Sequence, residues 1–389
     1  MSKADSVIDW MLGEGRQTDH DMNTFGRRLA ERIIAAGIPI TRFFWGVRTL
    51  HPLVGATGYI WERERGEVIQ RAASWDETNS VEFQRNPVLL AVESGGPFRC
   101  RLDGTEPLDY PLLEALRSDG LTDYLALAMR FSDGNRNPIS FQTDAPDGFA
   151  THDVEALESI ANAIALFVES ETRYRTARQL LETYVGKRTG ERVLSGAIQR
   201  GMGETISAVV WFSDLRGFTA LSESLPNTAL LDHLNTYFEL TGAAVTKEGG
   251  EILKFIGDGV LAIFDITPDA DTADRCAAAL RAAQSAHLAI ASANRDRIAD
   301  GAPEIGWGLA LNLGDVSYGN IGTPDRLDFT VVGPAVNHAA RLEALGAQIG
   351  ETVVLSESVA QALDVPLREL GAHSLKGVAL PQKAFAPVD

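Results

Sequence analysis

Two α+β domains joined by a long helix are the architecture this sequence predicts, on three observations. The chain has 389 residues, more than one typical domain holds. From Met22 to Thr143 a helical pattern gives way to strand-like runs separated by Gly, Pro, Asn and Asp. Beyond Gly203, apolar strands alternate with longer helical patterns, and two of the strands meet at a tight Gly257-Asp258-Gly259 turn.

Met1 to Asp21 is polar and reads as an arm, frayed or docked. An amphipathic helix runs from Met22 to Ala36. Strands follow at Thr41–Val47, Thr57–Glu62, Val68–Ala73, Tyr124–Phe131 and Pro138–Thr143, with a hairpin signal at Ser132–Asn137. Helix, strands and helix in this order suggest a small sensor-type domain over residues 22–170. Thr151 or Asp153 can cap the next helix. Its apolar positions are Leu157, Ile160, Ile164, Phe167 and Val168; the pattern weakens through Tyr174 and resumes at Leu180, Leu181 and Val185. That spacing fits a short coiled coil or a helix packed on its own sheet, and both can hold along its length. Residues 171–203 form the linker, ending in the Gly- and Arg-rich stretch from Gly186 to Gly203. The second domain covers residues 204–389. Its strands are expected at Ile206–Phe212, a continuous apolar run, Ile252–Ile256, Val260–Phe264, Gly306–Leu313 and Thr330–Val332. Its helices are expected at Asn227–Lys247, Ala270–Ala299 and Ala335–Leu345.

Composition narrows the function. An apolar fraction of 45% supplies ample core, and a net charge of −18 argues against a nucleic-acid or anionic-membrane surface. It leaves room for a small polyanion held by a few placed cations and a metal. Two cysteines, Cys100 and Cys276, make a disulfide framework unlikely and fit a reduced, cytoplasmic compartment. Neither a signal peptide nor a membrane-length apolar run is visible, so the protein reads as soluble.

Chemistry concentrates in three stretches. Asp214 ends an apolar strand ahead of a Leu-Arg-Gly-Phe-Thr turn, and Asp258 lies in the hairpin turn. Either aspartate alone is best read as a turn or cap residue. If the hairpin pairs beside the first strand, the two carboxylates meet and can hold Mg²⁺, which prefers oxygen ligands and shares its coordination with substrate. Gly217 lets phosphates approach the amides that follow it, at Phe218 and Thr219. Lys254 alternates with Ile252 and Ile256, on the face away from Leu253 and Phe255. Its ammonium only donates, which suits adenine N1 and not guanine N1–H; a snorkelling strand lysine is the plainer reading. Asn337 and Arg341 stand one helical turn apart. Asn can orient a ribose and Arg can stabilise charge on phosphate; taken by themselves, the two read as a cap and a surface salt bridge with Glu343.

With SDLRGFT (Ser213–Thr219), EILKFIGDG (Glu251–Gly259), the run Asn320–Glu343 and LKG (Leu375–Gly377) in this order and spacing, residues from about Glu204 to Pro387 resemble the catalytic domain of class III nucleotidyl cyclases. The resemblance implies a ferredoxin-like βαββαβ core and an adenylyl cyclase making cyclic AMP and pyrophosphate from ATP. Asp214 and Asp258, with the Leu215 backbone carbonyl, would bind two Mg²⁺ or Mn²⁺ ions, one activating the ribose 3′-hydroxyl and one holding the terminal phosphates. Lys254 and Thr330 would read adenine, Asn337 would position the ribose, Arg341 would stabilise the transition state, and Lys376 would reach the terminal phosphates. Each site of this family takes its metal residues from one domain and its base- and ribose-reading residues from another. This chain carries both sets once, which implies a head-to-tail homodimer. Three positions depart from the common pattern. Thr330 replaces a frequent aspartate, as in the subclass that includes bicarbonate-responsive enzymes; Pro334 replaces a polar residue; and Asp315 replaces a basic one.

The first domain resembles a GAF domain more weakly, through Tyr124–Phe131, the Gly134 turn, Pro138–Phe141 and Phe149–Leu157, with a PAS domain as the alternative. The resemblance implies a small-molecule ligand or a dimer contact there. His51 and Cys100 are the residues that could ligate, although structural roles suit them better.

Overall fold

The computed structural model describes residues 2–17, 21–49, 53–199, 201, 203–267 and 270–388. The chain divides into two compact units, Met1–Leu180 and Leu181–Asp389.

In the first unit, helices α1 (Lys3–Leu12) and α2 (Met22–Ala35) precede strands β1 (Arg42–Arg48), β2 (Val54–Glu62) and β3 (Val68–Ser74). Short helices α3 (Trp75–Thr78), α4 (Val81–Gln84) and α5 (Val88–Ser94) lead to β4 (Phe98–Arg101), and α6 (Pro111–Ser118) to β5 (Asp123–Arg130) and β6 (Arg136–Thr143). Among the described residues these strands form one antiparallel sheet in the order β3-β2-β1-β6-β5-β4. Phe43, Trp45, Tyr59 and Trp61 line one buried face. Helix α7 (Thr151–Val185) closes over it with Leu157, Ile160, Ile164 and Val168, while Phe167 stacks on Phe25 at 3.7 Å.

The N-terminal stretch expected as an arm is largely helix α1, with Val7, Trp10 and Met11 buried in this core. The helix carries Ala4, Val7, Ile8, Trp10, Met11 and Leu12, an apolar face that the polar residues around it from Met1 to Asp21 outweigh. Lys3 Nζ binds Asp153 Oδ1 at 2.7 Å, and Asp153 Oδ2 accepts from the Ala150 N–H at 3.1 Å. Asp153 is therefore the residue that caps the start of α7, and Thr151 is the first helical residue. Further along α7, Leu166 and Tyr184 are 65% and 80% exposed, unlike the residues packed on the sheet. Cys100 and Cys276 are unpaired; His51 lies outside the described residues.

The second unit begins with the last residues of α7, followed by α8 (Lys187–Leu194), a helix inside the stretch expected as a connector. Its core runs β7 (Gly203–Leu215), α9 (Phe218–Ser224), α10 (Asn227–Lys247), β8 (Glu251–Ile256), β9 (Gly259–Ile266), α11 (Thr272–Ala299) and β10 (Trp307–Thr323). After it come β11 (Arg326–Val332), α12 (Pro334–Ile349), β12 (Val353–Ser356), α13 (Glu357–Ala362), β13 (Leu367–His373) and β14 (Gln382–Pro387). The sheet order is β13-β14-β12-β10-β7-β9-β8, with β11 paired to β10. Its four strands at one end, β10-β7-β9-β8, give a βαββαβ core. Strand β7 is central and continuously apolar because helices cover both its faces: Val209 and Trp211 pack with α10 and α11, Ala208 and Val210 with α12. No helix of the described residues is long and apolar enough to cross a membrane.

Between α10 and α11, His233 is fully buried and its Nδ1 lies 3.0 Å from Arg297 Nη2. The guanidinium only donates, so this nitrogen accepts and the ring is neutral. Burial, reinforced by the Arg297 charge, lowers the imidazole below its ordinary 6.5. As pH falls below that value the unfolded chain takes the proton first, so stability is lost on acidification. Thermal midpoints should therefore decline from about pH 6.5 towards 5, and His233→Gln should flatten that slope; an unchanged slope would remove His233 from the account.

Candidate active site

Asp214 stands near the end of β7, where Ser213 pairs with Val260 of β9. The hairpin β8–β9 closes with Ile256 opposite Gly259, so the loop is two residues long, Gly257 and Asp258. Gly257 takes φ +64°, a left-handed conformation that glycine adopts without strain. A Cβ added at Gly259 would lie 3.4 Å from Asp214 Oδ1, so the bare backbone there lets the hairpin close on the aspartate. The carboxyls of Asp214 and Asp258 meet. Burial, the hydrogen bond and charge of Asp258 and the charge of Glu343 push Asp214 up to about 7. Two facing hard-oxygen donors whose charges repel are what a divalent cation neutralises, and this donor set fits Mg²⁺ or Mn²⁺. The Leu215 N–H donates to Asp214 Oδ1 at 3.1 Å. Gly217 caps the seven-residue helix α9 at φ +71°, with Phe218 and Thr219 opening it. Among the described residues, nothing beyond its chain neighbours lies within 4 Å of a Cβ built at Gly217, so its conformation rather than crowding calls for glycine.

Lys254 does not share a face with Ile252, contrary to the expected alternation. The β8–β9 register shifts between Ile252, opposite Ala262, and Lys254, opposite Leu261. This bulge inserts Leu253 and breaks the period of two. Ile252 packs with the α10–α11 core, while Leu253 packs with the core that holds Leu261 and Val331. Lys254 is thereby turned towards β11, where its Nζ lies 3.5 Å from Asp328 Oδ2. Two residues on, Thr330 is buried and its hydroxyl has no hydrogen-bond partner among the described residues. Its cost, about 1–3 kcal/mol for an unsatisfied buried polar group, is one that an arriving polar group can relieve.

Asn337 is exposed on α12, and Arg341 is half-buried one turn later. The residues at the helix start are Gly333 and Pro334, so Asn337 is not the cap. Glu343 lies on another side of the helix from Arg341, since two residues turn an α-helix by more than half a circle. It pairs with Arg216 instead, at 2.7 Å. Arg341 has no acidic partner among the described residues, and a Cβ added at Gly377 would sit 3.4 Å from its Nη2. The exposed Lys376 adjoins that contact. Within one chain, then, Asp214 meets Asp258, Lys254 meets the strand of Thr330, and Arg341 meets the loop of Lys376. Among the described residues no hydrogen bond or ion pair joins Asn337 or Arg341 to either aspartate.

Sequence reasoning missed Asp328 and the pairing of the half-buried Arg216 with the buried Glu343. The one available signal was a charged residue two positions from Asp214, Thr330 and Arg341, which cannot name a partner on another element.

Residues 202–385 match the family described as the adenylate and guanylate cyclase catalytic domain. This segment is a cyclase catalytic domain. Its relatives include an adenylate cyclase of Anabaena cylindrica, 36% identical over 173 residues that cover 43% of this chain and 33% of that protein. Adenylate cyclase 1 of Rhizobium meliloti is 34% identical over 173 residues, covering 43% and 25%. Among solved structures, an adenylyl cyclase of P. aeruginosa is 29% identical with a TM-score of 0.45, over 48% of this chain and 96% of that one. The chain spans a third or less of the length of these two curated relatives. Asp214, Asp258, Lys254, Thr330, Asn337, Arg341 and Lys376 all lie inside the matched cyclase segment.

Proposed function

We propose that the chain is an adenylyl cyclase that converts ATP to 3′,5′-cyclic AMP and pyrophosphate at sites shared by two copies of itself. The observation that carries this reading is the meeting of Asp214 and Asp258 at one sheet end, with Lys254 on the strand that leads into Asp258. Asp214, Asp258 and the Leu215 carbonyl would hold two Mg²⁺ or Mn²⁺ ions, which supply activation of the ribose 3′-hydroxyl and charge neutralisation on the triphosphate.

The chain's own groups do the rest. Lys254 donates to adenine N1, and the unpartnered Thr330 hydroxyl accepts from the 6-amino group. Asn337 positions the ribose so that its 3′-oxygen lines up with the α-phosphorus. Arg341, free of an acidic partner among the described residues, stabilises charge on the phosphate oxygens as pyrophosphate departs. Lys376 and the amides of Phe218 and Thr219 hold the outer phosphates. The homodimer reading draws support from the absence, among the described residues, of any hydrogen bond or ion pair between the aspartates and Asn337 or Arg341. In a head-to-tail pair, each aspartate pair would face the partner's α12.

The first unit is read as a GAF-like sensor with a small-molecule ligand. Support comes from its sheet closed by helices and from α7, which runs unbroken through residues 151–185 towards the cyclase segment. The chain is read as acting in the cytoplasm without membrane or nucleic-acid partners.

Turnover of ATP and GTP by the full chain, with Mg²⁺ and with Mn²⁺, is the direct test. Cyclic AMP from ATP is expected, with GTP a poor substrate. Lys254→Glu should cut ATP turnover about 10–100-fold, the worth of one charged hydrogen bond. Equal use of both nucleotides would refute the base-reading role. The same assay on a chain lacking residues 1–200 reads the sensor: an unchanged rate and nucleotide response would remove it from the proposal.

A further inference from the structure

The residue two positions after Asp214 is half-buried against the helix that carries Arg341, its side chain 29% exposed. Arg216 Nη1 lies 2.7 Å from Glu343 Oε1, with the carboxylate side chain only 8% exposed. The pair rests on Gly308 of β10, which stands opposite Asp214 in the sheet. A Cβ added at Gly308 would collide with Arg216 Nη2 and lie 2.7 Å from Glu343 Oε1. From the helix side, Gly346 leaves room for the same guanidinium, a Cβ there lying 3.5 Å from Nη2. The backbone of Arg216 is held too, its N–H donating to the Gly306 carbonyl at 2.8 Å. Burying this much charge is not needed to glue α12 to the sheet, because Leu342 and Leu345 already pack there with Ala310 and Val354. A buried ion pair in such a place adds geometry more readily than stability.

We propose that Arg216 and Glu343 are positioning residues, a strut that fixes α12, and with it Asn337 and Arg341, against the strand end that holds Asp214. This rests on the adenylyl cyclase reading and deepens it. In the head-to-tail dimer the aspartates of one chain serve one site and its Arg341 serves the other. The strut therefore ties the two sites together through each protomer. Neither residue touches the nucleotide; each acts through the side chains it places.

The test compares the full chain with Glu343→Gln, with Arg216→Met and with the double variant Arg216→Met/Glu343→Leu. Thermal midpoint, kcat and KM for ATP with Mn²⁺, and binding of a fluorescent ATP analogue are measured for each. Arg216→Met strands the buried Glu343 and Glu343→Gln leaves the half-buried Arg216 without its counter-charge, so each should lose thermal stability. Each should also lower kcat about 10–100-fold, the scale of an ångström-sized misplacement, with KM and analogue binding within about threefold. The double variant removes both charges together and should regain the thermal midpoint while kcat stays at least about tenfold down. A double variant that recovers kcat together with its melting point would make the pair merely structural and overturn the strut, as would single variants of unaltered kcat. A parent chain that neither binds the analogue nor turns over ATP would overturn the cyclase reading, and the strut with it.

Discussion

Asp214→Ala should abolish cyclic AMP formation, by at least about 10³-fold, in a chain that remains folded. The side chain supplies one of two carboxylates at the sheet end, and its neighbour Asp258 cannot hold a divalent cation and order a triphosphate alone. The fold does not depend on it, because the carboxylate is a burden in the metal-free protein. Burial and the facing Asp258 raise Asp214 to about 7, above its ordinary 3.8. A raised acid makes the folded state bind the proton more tightly than the unfolded one. Stability is therefore lost as pH climbs from about 4 to 7, and the loss is complete above that range. At pH 8 without metal the alanine variant should melt at or above the parent's temperature. Adding Mn²⁺ should raise the parent's midpoint by mass action and leave the variant's where it was. Retained turnover would refute the metal assignment, and a collapsed fold would refute the argument that Asp214 is dispensable to stability.

Arg341→Ala should lower kcat by about 10²–10³-fold with KM for ATP changed little, because the guanidinium is proposed to act where charge develops rather than where substrate binds. Its structural cost should be small. Arg341 has no acidic partner among the described residues to leave unpaired, in contrast to Arg216, whose loss strands Glu343. The variant also provides a test of the shared site. In an equal mixture of Asp214→Ala and Arg341→Ala chains that exchange freely, half of the dimers are mixed. Each mixed dimer pairs one intact aspartate set with one intact α12, giving one complete site in two. Activity should return to about a quarter of the parental value. A mixture as inactive as its components, with exchange confirmed by differently labelled chains, would place each site within a single chain.

Several features of the cyclase segment could be read from residue order because each is set locally. The span of α10 follows from its helical pattern, and β7 announces itself as an apolar run whose two faces are both covered. Gly257-Asp258 declares a tight turn because glycine takes its positive φ without strain. The two aspartates, Lys254, and the Asn337–Arg341 pair were visible as residue types at fixed spacing.

Short elements were not legible. Helix α1, helix α9 and strands β12 to β14 are each short, and packing against distant parts of the chain fixes them. Local spacing misled at Lys254: a one-residue bulge, invisible in sequence, turned the side chain from the Ile252 face towards β11. The sequence could not choose Glu343's partner either, since Arg341 is near along the chain while Arg216 is near only in space.

By itself, then, the sequence determined which chemical groups this protein carries and the strands, turns and helix that hold them, because backbone preference and side-chain periodicity act over a few residues. Only the tertiary structure decided which carboxylates meet, which face Lys254 takes, and that Arg216 binds Glu343 over Gly308. Those outcomes depend on register and on close packing between elements far apart in the chain, which no local pattern encodes.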